Sequence, residues 1–88
     1  MRSDIARQFG ANVNRARMRA GVSQEDLAVR ASLHRTEIGL LERGERLPRL
    51  DTALKLAGAL GVPFADLIEG IEWRAGSVQR GGFDVSSD

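Results

Sequence analysis

The sequence predicts an all-α fold: a bundle of five short helices over residues 1–70, followed by a short extended tail over residues 71–88. Apolar residues recur at intervals of three and four through most of the first segment, which is the period of a helix with one buried face. Glycine, serine and proline stand between these stretches, at positions where helices begin and end. The chain has 88 residues, 42% of them hydrophobic, so it can form one small domain with a single core.

The first predicted helix begins at a capping Ser3 and ends at Gly21, which has the position of a C-terminal glycine cap. Its apolar residues form one helical stripe of Ile5, Phe9, Val13, Ala16 and Ala20. Gly10 interrupts this stripe only mildly. Ser23 caps the second predicted helix and forms a weak capping box with Asp26. The inward-facing residues of the second helix are Leu27, Ala28 and Ala31.

Three more helices are predicted at residues 35–43, 51–60 and 63–68. Gly44 ends the first of them, and a loop follows because Pro48 disfavours helix at the residue before it. Pro63 occupies the first turn of the last helix, and Gly70 ends that helix. The apolar residues predicted to face the core are Ile38, Leu41, Leu50, Leu54, Ala57, Leu60, Phe64, Leu67 and Ile68.

The helical period is lost from Ile71 onward. Three glycines and a polar end indicate that this tail is extended or disordered. The alternation between Gly82 and Val85 allows one short strand. Trp73 is expected to pack against the bundle or against a partner chain. Residues 71–88 are therefore a candidate segment for dimerisation or partner binding.

Charge is divided unevenly along the chain, although the net charge is only +1. Residues 1–50 hold ten arginines and six acidic residues, a balance of +4. Residues 51–88 hold three basic and six acidic residues, a balance of −3. This division suggests one face for phosphate and another face for a different contact.

Several classes of function are disfavoured by the composition. The chain has no cysteine and a single histidine, His34, so we expect neither disulfides nor a metal site. No pair of carboxylates, nucleophile beside a base or glycine-rich phosphate loop stands out, so we expect neither an enzyme nor a cofactor. No apolar run reaches the roughly 20 residues of a membrane span. The first residues show no signal-peptide pattern, so we expect a cytoplasmic protein without a membrane partner.

The most informative segments are residues 21–28 and 33–44. They predict two short helices joined by a tight turn, with polar residues on the outer face of the second, as in proteins that place a helix in the major groove of DNA. Residues 12–70 resemble the phage repressor and Cro type of helix-turn-helix, the xenobiotic-response-element-like bacterial regulators. The resemblance is carried by Gln24, Leu27, Ala28, Ile38, Leu41, Glu42, Arg43, Gly44, Leu56, Ala57, Ala59, Leu60, Gly61 and Val62. It implies a lambda-repressor-like bundle with its recognition helix at about residues 35–43.

The resemblance also implies roles for individual side chains. The residues offered to base edges are His34, Arg35, Thr36 and Leu40. The candidate phosphate contacts are Ser23, Gln24, Arg43 and Arg46. Arg17 and Glu42 fall where the family has an ion pair between the first helix and the end of the recognition helix. Ser32 is a departure, because the family usually has a left-handed glycine there, so we expect strain and a slightly different turn.

Some of these roles have alternatives. Arg35 and Thr36 could belong to a solvated helix face instead of reading bases. Leu40 either contacts a thymine methyl or reads nothing. Glu37 could accept a hydrogen bond from cytosine, pair with an arginine, or exclude the wrong bases. His34 could touch a phosphate, a base or water.

Two hypotheses for the whole chain follow. The first is a sequence-specific transcriptional regulator, for example a repressor, that binds a double-stranded DNA operator as a homodimer. Its expected dimer surface consists of Phe64, Leu67, Ile71, Trp73, Phe83 and Val85. The second is a protein-interaction module, such as an antitoxin or adaptor, whose tail folds on a protein partner.

Overall fold

The computed structural model describes residues 2–76 and 80–86. Within them the chain forms five helices followed by a two-stranded antiparallel sheet, so the predicted five-helix bundle is confirmed. The helices are α1 (Arg2–Ala20), α2 (Gln24–Ala31), α3 (Arg35–Glu42), α4 (Leu50–Leu60) and α5 (Phe64–Leu67). The strands are β1 (Ile71–Arg74) and β2 (Gly82–Val85). No helix in these residues is long and apolar enough to cross a membrane.

All five helices contribute side chains to one apolar core. α1 packs against α3, and α2 packs against both α3 and α4. The buried members of this core are Phe9, Val13, Leu27, Ala28, Ala31, Ile38, Leu41, Ala53, Leu56, Ala57 and Leu67. The inward faces predicted for the second and third helices are among them, because the helical period places these residues on one side.

The helical stripe predicted for α4 is wrong at two positions. Leu50 is 70% exposed and Leu54 is 52% exposed, and Ile68 beyond α5 is also partly exposed. The buried residues of α4 are Thr52, Ala53, Leu56 and Ala57. Apolar residues are so frequent in α4 that two stripes fit the helical period. Packing against α2 selects the stripe with two alanines, since small side chains allow helices to approach closely.

Helices α1 to α4 are each followed by a residue in the left-handed region of backbone conformation. That residue and the next one donate their N–H groups back to the last turn, which satisfies carbonyls that the helix leaves open. The residues in this position are Gly21, Ser32, Gly44 and Gly61. Ser32 has φ 55° and ψ 46°, so it adopts the conformation that the resemblance implies for glycine. The slightly different turn expected from the serine is therefore not observed.

A buried amide fastens the end of α5 to α1. Asn12 is 1% exposed, and its Nδ2 donates to the carbonyl oxygens of Leu67 and Glu69, both at 2.9 Å. Its Oδ1 accepts hydrogen bonds from Gln8 at 3.0 Å and from Arg15 at 2.8 Å. α5 has only four residues, so the carbonyl groups at and after its end have no further helical turn to supply N–H donors. The Asn12 side chain supplies these donors instead.

The tail forms a hairpin in which β1 pairs antiparallel with β2. Ile71 lies opposite Val85, and Trp73 lies opposite Phe83. The predicted extended character and the short strand at Gly82–Val85 are confirmed, but the sequence did not predict β1. β1 has only four residues, which are too few for an alternation of apolar and polar side chains to be recognised. Its partner strand, β2, also begins several residues further along the chain. The prediction for residues 77–79 and 87–88 lies outside the described residues.

Trp73, for which the sequence predicted packing against the bundle or a partner chain, packs within the hairpin. Its ring meets the Phe83 ring in a T-shaped contact, with ring centroids 5.0 Å apart. Gly81 makes room for this arrangement, because a Cβ there would stand 2.6 Å from Cζ2 of Trp73. Trp73 nevertheless remains 58% exposed, and its packing against a partner chain stays a prediction.

Candidate nucleic-acid interface

α3 has one buried face and one exposed face, and the exposed face carries the predicted base-reading residues. Ile38 and Leu41 are completely buried and attach α3 to the core. His34, Arg35 and Thr36 are exposed at the start of the helix. Leu40 is half-buried, as is Glu37. The start of α3 therefore presents three neighbouring polar side chains to solvent, while the apolar face of the same helix is buried in the core.

The start of α3 is not closed by a side chain. His34 is the N-cap residue, with an extended backbone at φ −82° and ψ 145°, and it makes no side-chain capping hydrogen bond. Its imidazole is therefore not committed to the helix, in contrast to the hydroxyl of Ser23 at α2. Ser23 Oγ accepts a hydrogen bond from the backbone N–H of Asp26 at 3.0 Å.

The end of α3 is tied to α1 by a buried ion pair. The structure brings together Arg17 and Glu42, the two residues for which the resemblance implies a pair. Arg17 Nε donates to Glu42 Oε2 at 2.6 Å, and Arg17 Nη2 donates to Glu42 Oε1 at 3.0 Å. Their side chains are only 12% and 5% exposed. Arg17 Nη1 also donates to the carbonyl oxygen of Val22 at 3.0 Å, so the same side chain holds the segment between α1 and α2.

Two further amides complete the network around Glu42. Asn14 Nδ2 and Gln24 Nε2 donate to Glu42 Oε1 at 3.0 and 3.1 Å. Burial favours the neutral carboxyl, but the hydrogen bonds from these three donors and the guanidinium charge hold the pKa of Glu42 below its usual value. The hydrogen bond to Glu42 also raises the pKa of Arg17. Sequence reasoning missed Asn14, because a lone polar residue on α1 does not show which distant carboxylate it meets.

The Gln24–Glu42 hydrogen bond places the start of α2 beside the end of α3. Two of the predicted phosphate contacts, Ser23 and Gln24, therefore lie close to a third, Arg43, which follows Glu42 directly. Ser23, Arg43 and Arg46 are exposed, whereas Gln24 is half-buried and already bonded to Glu42. The first three candidates thus lie near one another where α2 begins and α3 ends, and Arg46 follows three residues after Arg43 along the chain.

α1 approaches the end of α3 closely at Gly10. A Cβ added to Gly10 would overlap the carbonyl oxygen of Leu41 and stand 2.8 Å from that of Glu42. These are backbone atoms, which cannot rotate out of the way. Gly10 therefore sets the distance between the two helices, although the sequence shows it only as a mild interruption. A single glycine inside a helical pattern is a signal for such a contact.

The described residues contain no group of histidine, cysteine and carboxylate side chains that could hold a metal ion. Every buried side-chain nitrogen or oxygen in this part of the chain has a hydrogen-bond partner.

Comparison with known proteins agrees with this geometry. Residues 13–67 match the family model HTH_3, described as helix-turn-helix, and this span includes α2 to α5 entirely. The chain belongs to the HTH_3 family of Cro/C1-type transcriptional regulators. It is accordingly a DNA-binding helix-turn-helix regulator and not an enzyme.

Several proteins similar to this chain are control proteins. The chain is 41% identical over 70 residues to control protein C.BamHI of Bacillus amyloliquefaciens, an alignment that covers 78% of this chain and 86% of that protein. It is 42% identical over 65 residues to control protein C.SmaI of Serratia marcescens, with 74% and 77% covered. Among solved structures, the restriction-modification controller protein C.AhdI from Aeromonas hydrophila superposes with a TM-score of 0.69 at 39% identity, covering 70% of this chain and 94% of that chain.

Proposed function

We propose that this HTH_3 protein binds a specific double-stranded DNA operator as a homodimer and thereby controls transcription in the cytoplasm. The observation that carries this proposal is the exposure of His34, Arg35 and Thr36 on a helix whose opposite face is buried. Base reading requires such side chains on a rigid support, because a loosely held helix cannot fix the geometry of a hydrogen bond. The Glu42 network supplies that support at the end of α3.

In this proposal α3 lies in the major groove and its first turn reads the bases. Arg35 can donate two hydrogen bonds to one guanine, which is worth about 1–3 kcal/mol of discrimination against a wrong base. Thr36 can offer its methyl to thymine or its hydroxyl to a base edge. His34 reaches the groove beside them, and the partly buried Leu40 is restricted to an apolar contact such as a thymine methyl.

The contacts proposed for the DNA backbone lie at the start of α2 and after α3. They are Ser23, Gln24, Arg43 and Arg46. The α2 N-terminus, with eight residues behind it, adds backbone N–H groups and the positive end of its dipole. Such contacts position the protein on the duplex but carry no sequence information.

Selection of bound sequences from a random DNA pool, followed by footprinting, tests this proposal. A dimer should select two half-sites whose centres lie about 34 Å apart on one face of the duplex. Arg35→Ala should weaken binding and relax the preference at one base position. Arg30→Ala removes the same charge from the exposed end of α2 and should leave the selected sequence unchanged. An unchanged sequence with Arg35→Ala would show that Arg35 is not a reader.

Salt dependence separates this function from the interaction module. A DNA-binding regulator should lose affinity steeply as salt rises, with a logarithmic slope of roughly −0.9 for each phosphate neutralised. An antitoxin or adaptor that does not act on DNA should bind duplexes weakly and without sequence preference.

The proposed dimer surface is narrower than the sequence predicts. Leu67 is completely buried, so it is wrong as a dimer contact. Phe64 and Ile71 are partly buried and pack against the core. Trp73 at 58% exposed and Phe83 at 43% exposed remain as accessible apolar contacts of the hairpin. We propose that this aromatic pair, with the neighbouring tail, forms the dimer contact.

Truncation after Gly70 removes the hairpin and should weaken dimerisation in sedimentation equilibrium. Leu54→Glu is the matched variant, because Leu54 is a comparably exposed apolar residue on α4. An interface on the hairpin predicts that the truncation dissociates the dimer and that Leu54→Glu does not. The reverse result would place the interface on α4.

The roles named for these relatives extend the proposal to the genes that the protein regulates. C.BamHI and C.SmaI are control proteins, and C.AhdI is a restriction-modification controller protein. We infer that this chain likewise controls genes of a restriction-modification system. Occurrence of the selected operator upstream of a restriction enzyme or methyltransferase gene in the source genome would support this assignment, and its absence there would contradict it.

A further inference from the structure

Arg43 is engaged within the protein although it is proposed as a phosphate contact. Its Nε and Nη2 donate to the two carboxylate oxygens of Glu45, at 3.2 and 3.4 Å. Its remaining guanidinium nitrogen, Nη1, lies over Gly39, where a Cβ would stand 2.9 Å away. The Arg43 side chain is therefore folded back along α3, and its guanidinium is paired with the Glu45 carboxylate.

The backbone after α3 holds Glu45 in position for this pair. Gly44, at φ +74°, reverses the chain direction. The backbone N–H of Gly44 donates to the carbonyl oxygen of Leu41 at 3.1 Å, and that of Glu45 donates to Leu40 at 2.9 Å. The place of Glu45 relative to α3 is thus fixed by the end of the helix and not by a flexible loop.

We propose that Glu45 competes with DNA phosphate for Arg43. This inference rests on the proposed function, in which Arg43 contacts the DNA backbone. A guanidinium binds carboxylates and phosphates through the same pair of parallel N–H groups, so the edge that faces Glu45 cannot hold a phosphate at the same time. DNA must displace the carboxylate, which then lies near the phosphate and repels it.

This competition lowers affinity without changing the preferred sequence. Phosphate contacts carry no sequence information, so the loss falls equally on the operator and on other DNA. The Arg43 and Glu45 side chains are 57% and 53% exposed, and exposed pairs of this kind open at small cost. Glu45 thus weakens binding to every duplex, the operator included.

A double-mutant cycle tests the competition directly. The affinities of wild type, Glu45→Gln, Arg43→Gln and the double variant are measured by fluorescence anisotropy with a short mixed-sequence duplex at low salt, where binding is electrostatic. Glu45→Gln should tighten binding about two- to fivefold when Arg43 is present, the effect expected for an exposed ion pair. The gain should largely disappear in the Arg43→Gln background.

Glu25→Gln is the matched control, because it removes the same charge from the exposed first turn of α2. Its effect should be the same with and without Arg43. Equal gains from Glu45→Gln in both backgrounds would overturn the proposal, since they would reflect net charge alone. No gain, or a loss of affinity, would also overturn it. Failure of the wild type to bind any duplex would instead contradict the proposed function, so the two failures are distinguishable.

Discussion

Replacing Gly10 by alanine should destabilise the protein, although helix propensity alone predicts the opposite. Gly10 lies inside the 19-residue helix α1, where alanine is normally the better residue. The added Cβ would overlap the carbonyl oxygen of Leu41 and stand 2.8 and 3.0 Å from O and C of Glu42. Relief requires α1 and the end of α3 to move apart, because all three atoms belong to the backbone.

The magnitude is the difference between two opposing effects. Alanine stabilises a helix interior relative to glycine by about 0.5–1 kcal/mol. An extra carbon forced into a packed contact costs about 1–3 kcal/mol, and rigid backbone neighbours place this site at the upper end. We expect a net loss of about 1–2 kcal/mol in the free energy of unfolding. For a domain of this size, that loss lowers Tm by about 5–15 °C.

Thermal unfolding followed by circular dichroism measures this effect, at one protein concentration because dimerisation would make Tm concentration-dependent. Gly58→Ala is the matched control, since Gly58 lies in the interior of α4 and, apart from the adjoining backbone of α4 itself, no heavy atom lies within 4 Å of an added Cβ. It should gain about 0.5–1 kcal/mol from helix propensity alone. The two substitutions should therefore shift Tm in opposite directions. A Gly10→Ala variant as stable as Gly58→Ala would refute the close contact between α1 and α3.

Three other substitutions test the helix end, the ion pair and the buried amide, each by urea denaturation. Ser32→Gly should stabilise the protein by about 0.5–1 kcal/mol, because it relieves the left-handed strain of a residue with a Cβ; no change would contradict that strain. Glu42→Gln should cost about 3 kcal/mol at neutral pH by leaving Arg17 without its anion. Because the folded-state pKa of Glu42 is lowered, this difference should be full above the unfolded-state pKa of about 4.3 and shrink as the pH falls through the folded-state pKa. A difference that does not shrink in acid would rule out ionised Glu42 as its source. Asn12→Leu should cost about 2–4 kcal/mol, since the buried carbonyl of Leu67 and the part-buried carbonyl of Glu69 lose their donor, and a loss under about 0.5 kcal/mol would contradict this role.

Local signals predicted the helices, and tertiary contacts decided what the sequence left open. Glycine positions and helical periodicity were sufficient to find all five helices, because caps and amphipathic faces are local properties. The choice of stripe in α4 failed at Leu50 and Leu54, since both candidate stripes are apolar and only the neighbouring helices distinguish them. The roles of Asn12 and Asn14 were equally hidden, because the residues that they join to α1, namely Leu67, Glu69 and Glu42, are 28 to 57 residues away along the chain.

In the candidate site, too, the local sequence pattern predicted some features, and others depend on contacts between residues that only the fold brings together. The motif spacing identified the exposed turn of His34, Arg35 and Thr36, since a helix with one apolar face must present its other face to solvent. It did not show that Gln24 donates a hydrogen bond to Glu42, or that Glu45 forms an ion pair with Arg43. These contacts depend on side-chain directions at helix ends, which sequence spacing does not determine.

The end of α3 is held by the Glu42 network, whereas its start has no side-chain cap. We therefore expect substitutions at the two ends to have different effects on DNA affinity and on sequence preference. An eight-residue helix is too short to be stable alone, so its direction depends on the buried face and on the Glu42 network. Changes at that fixed end tilt the whole helix and should weaken contacts to every sequence. Three of the four residues proposed to read bases, His34, Arg35 and Thr36, lie at the other end, where His34 forms no side-chain cap. Substitutions there leave the support intact, so they should change which sequence is preferred more than how α3 is held.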